Sequence, residues 1–216
     1  MKYYGWWEAD RYIHENFIPN PFVNGTFLEL GAIDGVKYSN TKFFEDNMGF
    51  DHGVLIEPDP RSFKQLVTNR PNCECFNYAI HAENKAIDFM ISQQNAVGCS
   101  VDDAGDLFLD RWHKHSEKIT VPSQRLDYIL HKSKLDYIDL LSLDVEGSEM
   151  QCLNSMDWSI PVGLILVEVV KDRDLIHQKL LAQGFTLMSK YKLDEYYFNF
   201  NYFRKDLFSI SDMIQP

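Results

Sequence analysis

The chain has 216 residues, 45% of them hydrophobic and 14% aromatic, which is enough for one sizeable core and fits one α/β domain spanning 1–216. A formal net charge of −11, with no clustered Lys and Arg, excludes a polyanionic partner, so nucleic acid is not expected. No apolar run approaches membrane-spanning length and the first ten residues hold no signal-like segment, so the expectation is a cytoplasmic protein with no membrane span.

In chain order, Tyr12, Ile13 and Phe17 stand at helical spacing before Pro19 and Pro21, which predicts a short N-terminal cap helix within residues 1–22. Thr26-Phe-Leu-Glu-Leu-Gly-Ala-Ile-Asp-Gly35 follows, a buried strand ending in an acid and opening into a loop with two glycines. A dinucleotide fingerprint would need glycine at 33 and 36, where Ile33 and Val36 stand. The remaining pattern, E-x-G-x-x-x-G, suits a ligand without phosphates, such as the adenosyl and methionyl parts of S-adenosylmethionine, with Gly31 and Gly35 letting the backbone approach it. Ser39 or Asn40 is expected to cap the next helix, whose first turn would face the same ligand.

Val54-Leu-Ile-Glu57 is the second strand, again ending in an acid, and Pro58-Asp-Pro60 starts another helix. A carboxylate at that strand end can accept hydrogen bonds from both hydroxyls of a ribose. Residues 74–79 and 86–91 read as strands around a turn at 81–84. Between 93 and 118 the pattern becomes polar, predicting a long loop or helical insertion that could act as a lid. It contains His113 and His115, candidate general bases. Cys73, Cys75, Cys99 and Cys152 have neither zinc-type nor disulfide-type spacing and are read as reduced thiols.

Ile138-Asp-Leu-Leu-Ser-Leu-Asp144 is a buried central strand with a third acidic end, and Val162 to Val170 is a fifth strand with Glu168 near its end. Residues 172–183 form a helix closed by Gly184, and a strand pair follows. The strand–helix alternation is the layout of a Rossmann-like methyltransferase. Glu29, Glu57 and Asp144 would share the carboxyl edge of one parallel sheet, where open α/β sheets bind ligands, and acids there suit a cationic sulfonium. Asp144, Glu146 and Glu168 could also present hard oxygen ligands to Mg²⁺, an alternative to the metal-free site that is expected.

The sequence resembles the FkbM family of S-adenosylmethionine-dependent methyltransferases from Asp10 to about Phe203. The resemblance is carried by Asp10-Arg-Tyr12, Gly25 to Gly35, Ser39-Asn-Thr41, Leu55-Ile-Glu-Pro-Asp-Pro60, Asn69-Arg-Pro71, Asn77-Tyr-Ala-Ile80, Leu126-Asp127 and, most sharply, Leu141-Ser-Leu-Asp-Val-Glu-Gly-Ser-Glu149. Many relatives carry Gln-Asp-Arg where this chain has Ala9-Asp10-Arg11, and residues 93–118 match little. The resemblance implies a class I methyltransferase fold: a mostly parallel seven-stranded sheet, helices on both faces and a C-terminal antiparallel strand. It implies that Glu29, Gly31, Ala32, Ile33, Asp34 and Gly35, with Ser39 and Asn40, hold the methionine end of the cofactor. Glu57 and Pro58 would hold its ribose, Asn77, Ala79 and Ile80 would lie near the adenine, and Asp144 and Glu146 near the reacting methyl. Asp10, Tyr38 and Glu149 are expected at the acceptor.

The implied reaction is O-methylation of a sugar or glycan hydroxyl by in-line transfer, with a base among Asp144, Glu146, Glu149, His113 and His115. A non-sugar metabolite or protein acceptor, methylated on oxygen or nitrogen, is the alternative. A second is a non-catalytic interaction module, which the aromatic Trp6 and Trp7 would suit. The oligomeric state is left open, a homodimer included.

Overall fold

Apolar runs bounded by Gly, Pro and Asp become the strands of two sheets. The structure is a computed structural model that describes residues 1–93, 97–104, 115–202 and 204. A 3₁₀ turn at Trp6–Glu8 leads into α1 (Ala9–Asn16), followed by β1 (Thr26–Leu30), α2 (Lys42–Asn47), β2 (His52–Ile56), α3 (Pro60–Asn69), β3 (Glu74–Phe76) and β4 (Ala79–Ile80). Then come β5 (Ala86–Ser92), β6 (Gly98–Ser100), β7 (Ser116–Gln124), α4 (Leu126–Ser133), β8 (Ile138–Leu143) and α5 (Glu149–Ser155). The last elements are β9 (Val162–Glu168), α6 (Arg173–Ala182), β10 (Thr186–Tyr191) and β11 (Asp194–Phe198).

The large sheet has seven strands in the order β3-β2-β1-β8-β9-β11-β10. The first five are parallel, and β11 runs antiparallel to both β9 and β10. Side-chain alternation along the strands feeds two cores, one per face. Leu28, Val54, Leu141 and Ile165 pack with Ile129 of α4, Leu153 of α5 and Ile176 of α6. Phe27, Leu55, Leu140 and Leu164 pack on the other face with Ile13 of α1, Phe43 of α2 and Leu66 of α3. This is the Rossmann-like methyltransferase architecture with helices on both faces. Among the described residues no helix is long and apolar enough to cross a membrane, and all four cysteines are free.

A second sheet is ordered β4-β7-β5-β6; β6 lies inside the range 93–118, where a loop or helical insertion is expected, and β7 begins in it, while 94–96 and 105–114 fall outside the described residues. β7 carries a weak pattern of its own and is held by seven-residue pairing with β5, from Ala86↔Pro122 to Ser92↔Ser116. A strand stabilised by a distant partner leaves little local signal. The single strand expected over 74–79 is likewise divided, with β3 in the large sheet and β4 in the small one.

Candidate active site

The carboxyl ends of β1, β2, β8 and β9 open into a cavity of about 1010 Å³, its open mouth included. Its floor is Leu30, Gly31, Ile56, Glu57, Asp144 and Glu168; Ala79, Ile80, Ile87, Phe89 and Ser100 of the small sheet face it. Gly31 has φ +80°, and a Cβ there would meet the Asp144 carbonyl oxygen at 1.9 Å. That glycine therefore lets the loops after β1 and β8 touch. Ile33, Tyr38 and Glu146, also on the wall, hold left-handed φ values of 49°, 61° and 55°. Such backbone costs about 1 kcal/mol or more per non-glycine residue and concentrates at ligand sites.

Three carboxyl groups converge on the floor, with one ligand atom each from Asp144, Glu146 and Glu168 lying within 4.8 Å of one another. Burial pushes Glu168 up to about 11, reinforced by the charges of Asp144 and Glu146. Burial also raises Asp144, while its hydrogen bond with Glu168 holds it down. Two like charges this close resist ionising together. Asp194, the cross-strand partner of Glu168 on β11, is pushed up to about 8 by burial and then by the Asp144 charge.

Glu57 extends the wall on the β2 side. Its carboxylate accepts from the Ile33 N–H (2.9 Å) and the Asp59 N–H (2.7 Å), yet burial pushes it up to about 8. Asn77 donates to the Glu57 and Pro58 carbonyls at 2.8 and 3.0 Å and so fixes the loop behind them. Pro58, Tyr78, Ala79 and Ile80 continue the wall as an apolar slot beside Glu57.

The cavity brings together Gly31, Ile33, Tyr38, Glu57, Pro58, Ala79, Ile80, Asp144, Glu146 and Glu168 of the expected residues. Others stand behind the wall. Strand alternation turns Glu29 away, where its carboxylate accepts from Ser39 Oγ (2.8 Å), the Asn40 N–H (2.7 Å) and Thr41 Oγ1 (2.7 Å). Thr41 occupies the N-cap position of α2 without a capping side-chain bond, while Ser39 Oγ accepts the Thr41 and Lys42 N–H groups at 3.3 and 3.1 Å, the role expected of Ser39. Asp34 forms a turn by accepting the Val36 and Lys37 N–H groups. Gly35 makes room for protein: a Cβ would lie 2.6 Å from Arg70 Cγ and from Leu66 Cδ1. Ala32 is buried among the aromatic residues under the loop.

Asp10 accepts the Tyr4 and Arg11 N–H groups and is pushed up to about 6 by burial. It thereby pins the segment that carries Trp6 to the cavity rim. Glu149 is buried, accepts the Gly147 N–H at 3.0 Å, and is pushed up to about 7 by burial. The His115 side chain is exposed and does not line the cavity, while His113 falls outside the described residues.

Trp6 and the β5–β6 residues join the cavity wall with no sequence signal that places them there, and Tyr78 joins it within the expected Asn77–Ile80 turn. Trp6 packs edge-on against Tyr38 with ring centroids 4.6 Å apart, and Gly5 bridges to Tyr38 through the backbone. A motif at Trp6-Trp7 had no spacing that tied it to residue 38.

Comparison with solved structures finds a methyltransferase FkbM from Methylobacillus flagellatus KT, 15% identical over 88% of this chain, with a TM-score of 0.49. This chain spans only 50% of that protein's length. It also finds a ribosomal protein L11 methylase from Lactobacillus delbrueckii subsp. bulgaricus, 10% identical over 88% of this chain and 75% of that one, with a TM-score of 0.44. No curated protein matches the sequence. The model of the methyltransferase FkbM domain matches residues 29–187, running from the β1 acid through the cavity to β10, and the chain therefore belongs to the FkbM methyltransferase family.

Proposed function

We propose that the chain is an S-adenosylmethionine-dependent O-methyltransferase acting on a hydroxyl of a sugar or glycan. The observation that carries the reading is the single cavity wall shared by Glu57, the apolar slot beside it and the Asp144–Glu146–Glu168 group. These residues fit the cofactor's chemistry: a buried carboxylate for a diol, apolar faces for a purine, and negative charge for a cationic sulfonium and ammonium.

In this reading Glu57 accepts hydrogen bonds from the ribose hydroxyls, and Pro58, Tyr78, Ala79 and Ile80 enclose the adenine. Gly31, Ile33 and the Asp144 loop border the methionine end. S-adenosylmethionine supplies an electrophilic methyl carbon to the acceptor oxygen. Trp6 and Tyr38 at the rim offer aromatic faces to a sugar ring and shield the reacting groups from water. The ionised member of the Asp144–Glu168 pair takes the hydroxyl proton, a contribution of typically ~10²–10⁴-fold. Holding the two reactants in attack geometry contributes more, on the order of 7–11 kcal/mol.

Isothermal titration with S-adenosylmethionine and S-adenosylhomocysteine tests the reading. The wild type should bind both, and Glu57→Gln should bind at least about tenfold more weakly, equivalent to about 1.4 kcal/mol. Absence of binding to either ligand by folded wild-type protein would overturn it. Binding would be followed by screening sugar acceptors for methyl transfer.

A further inference from the structure

We infer that Asp144, Glu146 and Glu168 form a binding site for a hard divalent cation, set beside the proposed methyl-transfer cavity. The inference deepens the reading above, because the cation would ligate an oxygen-rich acceptor directly. Four observations lead to it. First, Asp144 and Glu146 stand in the loop after β8 and Glu168 ends β9, yet their ligand atoms lie within 4.8 Å of one another.

Second, Glu168 is only 8% exposed and its Oε2 is buried without a hydrogen-bond partner, on a residue that lines the cavity. A buried carboxyl oxygen without a partner is costly, and a cation taking the place of the Glu168–Asp144 hydrogen bond is one way to satisfy it. Third, among the described residues neither Asp144 nor Glu168 is ion-paired with Lys, Arg or His, while Lys171 nearby in sequence is committed to Asp103. Acids gathered for stability ordinarily recruit such a partner.

Fourth, the dimensions suit the ion. Oxygens on opposite sides of a cation stand about 4.2 Å apart for Mg²⁺ and about 4.6–5.2 Å for Ca²⁺. The upper limit of 4.8 Å on the separations is compatible with oxygens set around a single hard divalent ion. Three protein oxygens leave coordination positions open on such an ion, and all three residues line the cavity. Adjacent hydroxyls of a saccharide are suitable ligands for them.

The test uses the full chain after EDTA treatment. Tb³⁺ is titrated while its luminescence is read on excitation of tryptophan, Trp6 being on the same cavity wall, and Mg²⁺, Ca²⁺ and Mn²⁺ then compete. The wild type should give a saturable signal that the divalent ions displace. Glu168→Gln and, separately, Asp144→Asn should weaken binding on the order of tenfold or more, whereas Asp157→Asn, an exposed acid outside the cavity wall, should not. Melting curves report folding of each variant, and only the wild type and Asp157→Asn should be stabilised by the cation.

No saturable binding by the wild type, or equal binding by all variants, would overturn the site. Titration of S-adenosylmethionine in EDTA keeps the two ideas apart. A protein that binds cation but not S-adenosylmethionine retains the site and loses the cofactor reading. One that binds S-adenosylmethionine but no cation does the opposite.

Discussion

Arg70 is wholly buried, yet it does not line the cavity. Its guanidinium donates to the Gly35 carbonyl at 2.9 Å, Ser39 Oγ at 3.3 Å and Thr41 Oγ1 at 3.2 Å, pairs with Glu45, and faces Glu29 at 3.8 Å. Glu29 is pushed upward by burial and drawn back by the Arg70 charge. Arg70→Ala would strand that carboxylate and should lower stability by about 3–5 kcal/mol in denaturant titrations at neutral pH, and by less in acid, where Glu29 can protonate. An unchanged midpoint would show that the ion pair does not support the loop. Asn69-Arg-Pro71 was legible as a family motif, but not the fork geometry that makes Arg70 a support. Gly31 and Gly35 were legible as special positions. Their cause is contact with the Asp144 carbonyl and with Arg70, not only with a ligand.

At the scale of an element, the loop from Asp144 into α5 is shaped by its own acids. Gly147 has φ +116°, and its N–H is held by Glu149 at the first turn of the helix. Ser148 donates to Asp103 at 3.2 Å, tying the loop to the segment after β6. Glu149 Oε2 is buried without a hydrogen-bond partner, so the charged form is disfavoured. Glu149→Gln keeps an acceptor for Gly147 and removes the ionisation. It should be more stable than the wild type at about pH 8 by on the order of 1–3 kcal/mol, and indistinguishable from it near about pH 4. Equal stability curves at both pH values would refute this account of the loop. The Asp-Val-Glu-Gly-Ser-Glu spacing announced a functional turn, but alternation along a loop does not reveal which of its acids face inward. Asp144 and Glu146 reach the cavity and Glu149 does not.

For the whole molecule, buried acids make stability depend on pH. Glu57 is raised from 4.5 to about 8, Asp194 from 3.8 to about 8, Glu149 from 4.5 to about 7 and Asp10 from 3.8 to about 6, burial being the largest cause in each. A raised folded pKa means that the native state holds protons the unfolded chain has released. The stabilisation is complete below about pH 4 and is lost as pH rises through about 6–8, at about 1.4 kcal/mol per pH unit for each proton held. Thermal unfolding should therefore show Tm rising as pH is lowered from about 8.5 to about 6. A flat or falling Tm over that interval would count against these four groups being buried and protonated. Glu57 and residues of the small sheet line the same cavity.

The chain's local chemistry by itself determined the parallel strands with acidic ends, the glycine loop, the flanking helices and the family, because apolar runs, turn residues and helix starts act over a few neighbours. Only the tertiary structure decided which acids share a wall. Strand alternation sends Glu29 to the far face, parallel pairing sets the end of β9 beside the end of β8, and β5–β6 pairing brings Gly98 and Ser100 to the cavity wall. Those outcomes rest on contacts between residues far apart in the chain, and such pairings leave no period in the sequence that local reading can detect.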